Sequence, residues 1–383
     1  MANETHLKVG LVLDDGLDKP DGVQQYMLTL GNWLAAEGHN VHYLVGQTSR
    51  KDIPNVHSLS RNMAVNANGN TMTIPLPTSR RKLRRLLREE NFDVLHVQTP
   101  YSPFMGGRLI KLAGPKTAVI GTFHILPNSG LVSFGNRLLG LWCYRSLKRV
   151  DSMLSVSQAA ARYARQSFYG DSDISPNVIE YDRFASATAL PEYNDGVLTI
   201  LFLGRLVPRK GCQLLLKALM QLVQRTDLPK FRLVICGSGP LEKQLRKDAQ
   251  DYGLGGITTF AGFVAENVKP QYYASSDLTV FPSSGGESFG IVLLEAMASG
   301  KAAVLAGNNP GYASIMAPNP ELLFDPKDAD GLAKRIELFL QDSELRRQMA
   351  DWGHDYAHQF DVNVIGPVVV DIYNKALRKR RGE

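Results

Sequence analysis

The chain has 383 residues, of which 44% are apolar and 21% charged, and its net charge is +6 with a sequence pI near 9.1. These values exclude a disordered or fibrous protein and leave room for two domains, each with its own core. Cys143, Cys212 and Cys236 are odd in number, far apart and without CxxC spacing, which argues against a disulfide framework or a metal cluster and points to a reducing compartment.

The chain opens Met-Ala-Asn-Glu-Thr-His, without a basic segment followed by an apolar one. No uninterrupted apolar run approaches the roughly 18 residues of a spanning helix. A cytoplasmic chain, neither exported nor threaded through a bilayer, is therefore expected.

In chain order, residues 6–13 read as a buried strand, 23–36 as an amphipathic helix and 41–45 as a second strand. Further strands are predicted at 92–97, 117–123 and 152–156. Strand-helix alternation implies a parallel, doubly wound sheet. The same rhythm restarts at 198–203 and continues through 232–236, 257–260, 278–281 and 302–305. The economical reading is α/β with two Rossmann-like units in tandem: an N-terminal domain over 1–180, a C-terminal domain over 190–360, and a hinge near 176–196, placed by the turn-rich stretches 169–177 and 190–196. A last helix over 361–377 contains Pro367, which removes a backbone donor and should kink it. No solenoid-period repeat and no low-complexity tract is present.

The positive charge has a focus. Residues 79–88 place Arg80, Arg81, Lys82, Arg84, Arg85 and Arg88 among Leu83, Leu86 and Leu87, which share one face at helical spacing. Such a helix could lie on an anionic membrane, where each nearby cation contributes about 1 kcal/mol. It could equally be a surface helix whose leucines pack on the core and whose arginines are solvated. Nucleic acid could read the same patch electrostatically, but no aromatic residues interleave it, which weakens a single-strand reading.

The most informative stretch is Gly285-Gly-Glu-Ser-Phe-Gly-Ile-Val-Leu-Leu-Glu-Ala-Met-Ala298. It follows a short apolar strand and leads into an apolar helix, so residues 285–290 form a strand-to-helix turn. Backbone N–H groups at such a turn and the positive end of the helix dipole attract phosphate oxygens. Glu287 lies just before the helix and Glu295 is expected about two turns into it, so that one acid meets a sugar and the other a ribose. Either acid alone would more often be a dipole partner or a solvated side chain.

Upstream, Gly204-Arg-Leu-Val-Pro-Arg-Lys-Gly211 follows the strand at 198–203. There Arg205, a forked donor, and Lys210, a point charge, can converge on a diphosphate. After the first strand, residues 14–22 form a turn rich in Asp and Gly, and Gly22 lets backbone approach phosphate. His124 ends the strand at 117–123. A lone histidine is usually structural, yet this one sits where ligands of open α/β sheets bind, beyond the strands' carboxyl ends. Asp171-Ser-Asp173 and Asp328-Ala-Asp330 spell DxD, but in a predicted loop and at a helix start, where Asp is usually a turn or cap residue. No bound metal and no cofactor is expected.

Together these strings resemble the signature of the retaining, two-domain glycosyltransferases of family 4. The resemblance implies the GT-B fold, with two Rossmann-like domains facing across a cleft and a bent final helix, 361–383, returning to the N-terminal domain. It gives Arg205 and Lys210 the departing diphosphate, shared with Gly22 and the backbone of Phe289, Gly290 and Ile291. It gives Glu287 the sugar hydroxyls, Glu295 the ribose, and His124, through its Thr-Phe-His string, the sugar near the reacting carbon.

Within that family the chain is similar over nearly its whole length to phosphatidylinositol mannosyltransferases of the inner membrane face, sharing also Phe92-Asp-Val-Leu-His-Val97. By that resemblance Val264 and Lys269 hold the nucleotide base, Arg209 the acceptor's phosphate and Asp18 the acceptor. Residues 79–88 fall at a membrane-contact helix. The chain departs from the pattern at Asp21, where a glycine is expected, at Asp15, where an aromatic is, and over 66–77, which lacks an acceptor-binding arginine pattern. The implied activity is retaining transfer of a hexose, mannose from GDP-mannose, to a lipid such as phosphatidylinositol at the cytoplasmic membrane face. A UDP-glucose-dependent transferase acting on diacylglycerol or a soluble acceptor, and a non-catalytic membrane- or nucleic-acid-binding protein of the same fold, remain the alternatives.

Overall fold

A computed structural model describes residues 6–19, 21–67, 70–126, 130–168 and 170–383, and no side chains over 64–74 or 127–134. The first five residues and Tyr169, which begins the turn-rich stretch 169–177, lie outside it.

The chain divides into two compact units, residues 1–178 with 362–383, and residues 179–361. In the first, the elements are β1 (Lys8–Leu13), α1 (Gly22–Ala36), β2 (Asn40–Val45), β3 (Val56–Ser58), β4 (Asn62–Ala67), β5 (Asn70–Pro75), α2 (Arg80–Glu90), β6 (Val94–Val97), α3 (Met105–Leu112), β7 (Ala118–Phe123), α4 (Gly130–Leu147), β8 (Ser152–Ser155), α5 (Gln158–Phe168) and β9 (Asp173–Ile174). Seven strands form a parallel sheet in the order β3-β2-β1-β6-β7-β8-β9, while β4 and β5 make a separate antiparallel hairpin.

The second unit holds α6 (Tyr181–Ala185), β10 (Leu198–Leu203), α7 (Cys212–Met220), β11 (Phe231–Cys236), α8 (Glu242–Asp251), β12 (Thr258–Gly262), α9 (Lys269–Ala274), β13 (Leu278–Phe281), α10 (Ile291–Ala298), β14 (Ala303–Gly307), α11 (Pro310–Ile315), β15 (Leu323–Phe324), α12 (Ala329–Gln341) and α13 (Ser343–His358). Its sheet is β12-β11-β10-β13-β14-β15. The final helix, α14 (Val362–Arg381), belongs to the first unit. There Tyr373 and Val369 join the core of β1 and α1. The helix runs through Pro367 at its sixth residue.

Strands such as β10, Leu-Thr-Ile-Leu-Phe-Leu, are buried on both faces, as the central strands of a helix-covered parallel sheet must be. In each unit the strand order reverses once, between β1 and β6 and between β10 and β13. Ligands of open α/β sheets bind beyond the carboxyl ends at that reversal. Three sequence motifs lie there: the turn that starts at Asp14 follows β1, and the Arg205 and Glu287 turns follow β10 and β13; Gln98, unmarked in the sequence, follows β6.

The basic helix has the packing of an ordinary surface helix. Leu83 and Leu86 are buried in the core with Leu95, Met105 and Leu109, and Leu87 packs beside them, so the leucine face is not available to a bilayer. Arg80, Arg81, Lys82, Arg84 and Arg85 are exposed; Lys82 donates to the Ser58 carbonyl and Arg85 pairs with Glu89.

Candidate active site

Three turns meet at the carboxyl end of the second sheet. The Gly204–Gly211 turn is pinned to the β11 end by Gly204 N–H to the Cys236 carbonyl and Leu206 N–H to the Ser238 carbonyl, both 2.9 Å. It is pinned to the β13 end by Ser284 N–H to the Arg209 carbonyl, 2.8 Å. The closeness requires glycine at 237: a Cβ there would lie 1.9 Å from the Gly204 carbonyl oxygen, and φ is +142°. Gly237-Ser-Gly-Pro240 had not been singled out in the sequence, although Gly-x-Gly after an apolar strand is itself a signal for a close-packed turn.

Glu287 is the centre of the arrangement. Its Oε1 accepts from Arg209 Nη1 at 2.6 Å, Lys210 Nζ at 2.9 Å and Ser283 Oγ at 2.9 Å. Its side chain is 14% exposed, and those of Arg209 and Lys210 are 16%. Burial alone would raise the carboxyl's pKa, but the charges of Lys210 and Arg209 outweigh it and hold it below the ordinary value. Arg209, expected on the acceptor's phosphate, thus commits its guanidinium to Glu287. Asn309, also unremarked in the sequence, holds the turn by donating to the Ser283 carbonyl at 3.0 Å while capping α11.

Gly290 caps α10 at φ +128°, and a Cβ there would meet the Tyr312 ring at 2.8 Å. The helix begins at Ile291, so Glu295 lies one turn into it and not two; the sequence distance from Glu287 had included four residues of turn. Leu293 N–H bonds the Gly290 carbonyl at 2.9 Å, while the N–H groups of Ile291 and Val292 stand at the helix start, where no intrahelical acceptor is available.

Glu295 is buried and bonded to Lys269 Nζ at 2.7 Å and Tyr273 Oη at 3.2 Å. Lys269, 5% exposed, also meets Glu266 at 2.7 Å. Two carboxylates share one ammonium: the ammonium's pKa is held up by Glu295 and Glu266 against the opposing effect of burial. Burial pushes the Glu295 carboxyl up despite Lys269, and Glu266 adds to the rise. A hydroxyl donor would relieve this excess of negative charge. Val264 is half-buried in the turn after β12, ahead of Lys269.

In the first unit, His124 is buried, its Nε2 2.8 Å from Gln98 Oε1 and its ring 5.3 Å from that of Tyr26. Burial pushes its pKa down to about 3, so the ring is neutral at pH 7. Gln98 Nε2 and Tyr26 Oη are buried without partners among the described residues. Asp14 accepts from Ser102 and, at 2.7 Å, from Gly106 N–H; burial pushes it up to about 6. Gln98, Tyr26 and Asp14 were not legible as site residues, because nothing in their local pattern separates them from core. Asp18 accepts from Ser49 N–H at 2.8 Å, and Gly22 is the first residue of α1.

Three of the four DxD carboxylates have partners: Asp171 pairs with Arg165, Asp328 caps α12 and Asp330 accepts from Gln221.

The fold and the site define a sugar-nucleotide transferase architecture, and the comparisons make it specific. The family described as Glycosyl transferases group 1 matches residues 190–355, and Glycosyltransferase Family 4 matches residues 20–183. A phosphatidyl-myo-inositol mannosyltransferase of Mycolicibacterium smegmatis is 32% identical over 372 residues, 96% of this chain and 93% of that protein. A GDP-mannose-dependent alpha-(1-6)-phosphatidylinositol monomannoside mannosyltransferase of Mycobacterium tuberculosis is 27% identical, covering 91% of this chain and 93% of that one. The crystal structure of Anabaena Alr3699/HepE with UDP-glucose superposes with a TM-score of 0.76 at 20% identity, over 97% of this chain and 100% of that one, and supports the GT-B fold. The chain belongs to the family 4 glycosyltransferases and is a glycosyltransferase.

Proposed function

We propose that the protein transfers mannose, with retention, from GDP-mannose to an inositol phospholipid. The observation that carries this reading is the cluster of Arg209, Lys210 and Glu287 at the strand reversal of the second unit, in a chain similar to mannosyltransferases over 96% and 91% of its length. Lys210, Arg205 and the first-turn amides of α10 stabilise charge on the leaving diphosphate, a preorganised electrostatic effect of the kind that often dominates catalysis. Glu287, fixed through Oε1, keeps Oε2 as an acceptor for sugar hydroxyls. Glu295 takes the ribose hydroxyls, with Val264 and Lys269 toward the base. His124, neutral and donating its Nε2–H to Gln98 Oε1, keeps Nδ1 to accept from a sugar hydroxyl. Gly22 is assigned to the diphosphate and Asp18 to the acceptor, while Arg209 holds Glu287.

The cations and helix terminus supply what Mg²⁺ supplies elsewhere, so turnover should survive EDTA. No helix among the described residues is long and apolar enough to cross a membrane; the protein meets its lipid as a peripheral protein at the cytoplasmic face.

The test is a panel of nucleotide sugars against phosphatidylinositol, diacylglycerol and soluble acceptors, with products read by mass spectrometry. Mannosylated phosphatidylinositol from GDP-mannose supports the reading. Turnover with UDP-glucose but not GDP-mannose rejects the donor, and loss of activity in EDTA restored by Mg²⁺ rejects metal independence.

A further inference from the structure

The basic helix α2 buries its leucines, so any surface by which this protein enters a bilayer must be sought elsewhere. Helix α4 presents one. Leu138 (55% exposed), Leu141 (60%), Trp142 (66%) and Tyr144 (44%) stand on its outer side. Leu138, Leu141, Trp142 and Arg145 follow the i, i+3, i+4, i+7 spacing of one helical stripe, and Arg137, Leu141, Tyr144 and Lys148 form the stripe beside it. The Trp142 ring meets that of Phe104 edge-on, at 6.4 Å between ring centres, and Lys148 Nζ lies 4.6 Å over the Tyr144 ring.

The opposite side of α4 is spent on the unit's own core. Cys143 is 1% exposed with its thiol 3.0 Å from the Tyr101 carbonyl, and a Cβ on Gly140 would lie 2.2 Å from the Ser167 carbonyl oxygen. The exposed stripe is therefore not a core face displaced outward. An apolar patch rimmed by polar groups marks a protein or membrane contact.

Charge decides between the two. Helix α4 has no acidic residue, and Arg137, Arg145 and Lys148 are exposed along its rim. Helix α3 packs against both α2 and α4, so the aromatic stripe and the solvated cations of α2 belong to one layer of helices. Residues 80–168, which span this layer, hold fifteen Lys and Arg against four Asp and Glu, in a chain whose net charge is only +6. Tryptophan, tyrosine and leucine flanked by cations are the composition of a helix lying in the headgroup region of an anionic bilayer.

We propose that α4 is the element that inserts into an anionic lipid surface, through Leu138, Leu141, Trp142 and Tyr144, with α2 supplying charge alongside. The inference rests on the proposed lipid acceptor and names the surface that brings the enzyme to it. Trp142 is its reporter. In full-length protein with Trp33 and Trp352 replaced by Phe, emission should shift to the blue on titration with vesicles of phosphatidylglycerol and phosphatidylcholine, and brominated lipid should quench it.

The variant L138S/L141S/W142S should keep its thermal midpoint and its turnover on a deacylated, water-soluble inositol phosphate within about twofold. It should lose about tenfold or more in sedimentation with the same vesicles and in turnover on vesicle-embedded phosphatidylinositol. Unchanged vesicle binding by that variant, or a Trp142 spectrum indifferent to saturating vesicles, overturns the proposal. So does a change of oligomeric state in the variant without a change in lipid binding, which would make α4 a protein interface. Transfer to the soluble acceptor is the separate arm: its loss in the wild-type protein would strike the proposed activity and not the surface.

Discussion

Glu287 Oε1 lies 2.6 Å from Arg209 Nη1 and 2.9 Å from Lys210 Nζ, so one carboxylate orders two cations from another loop. Glu287→Gln keeps an acceptor and removes the charge. It should lower kcat/KM at least a hundredfold, about 2.7 kcal/mol of transition-state stabilisation, while the thermal midpoint moves only a few degrees. Steady-state kinetics with differential scanning calorimetry checks this; a variant within fivefold of wild type would remove Glu287 from the chemistry.

The buried pair of Lys269 and Glu295, 2.7 Å apart, bears on stability as well as on the donor. Lys269→Met leaves Glu295 without its ammonium and should cost about 3–5 kcal/mol, as breaking buried ion pairs does. The double variant K269M/E295L removes both charges and should recover much of that loss. Urea unfolding of the three proteins measures the difference.

Gln98 sets the ring of His124 through a 2.8 Å hydrogen bond. Gln98→Leu should reduce kcat about tenfold, a loss near 1.4 kcal/mol, with KM for the donor little changed. Gln98→Glu should raise the pKa of His124, since a nearby negative charge favours the imidazolium. Kinetics with an NMR titration of the ring separates lost positioning from altered protonation.

Acid should destabilise the first unit. Burial depresses His96 and His124 to about 3 in the folded chain, against 6.5 for the free side chain. Below pH 6.5 the unfolded state therefore binds protons that the native state refuses, and stability falls as pH falls toward 3. Asp14 acts the other way: burial raises it from 3.8 to about 6, so the native state binds its proton first and regains stability between pH 6 and 4. At pH 5 the two histidines cost about 2 kcal/mol each and Asp14 returns about 1.4, a net loss of about 3 kcal/mol relative to pH 8. Denaturant midpoints across that range test the sign, and Asp14→Asn should steepen the acid loss.

The central sheet strands were legible because strands of a covered parallel sheet are short, mostly apolar runs, as at Leu198–Leu203, whose bounds match the structure; the two- and three-residue edge strands β3, β9 and β15 are too short to carry such a signal. The hairpin of Asn62–Ala67 and Asn70–Pro75 was not legible either, since Asn, Thr and Ala dilute its alternation. In the site, each of Glu287, Arg205 and Lys210 alone is unremarkable at a glycine-bearing turn; they stood out because the two strings occur together and resemble one family signature. Arg209 could be placed only by coordinates: sequence spacing does not show that its guanidinium folds back on Glu287. The leucines of α2 are the reverse lesson. Their spacing describes an amphipathic helix, but periodicity cannot say whether core or lipid covers the apolar face, and here it is core.

Isothermal titration calorimetry of the wild-type protein and Lys210→Ala with GDP and with GMP tests the central claim, that a sugar-linked diphosphate is held by Lys210 and the turn ahead of Ile291. The account expects GDP to bind the wild type about tenfold or more tightly than GMP, and that preference to vanish in the variant. Absence of heat with GDP, or a preference indifferent to the loss of Lys210, would contradict it.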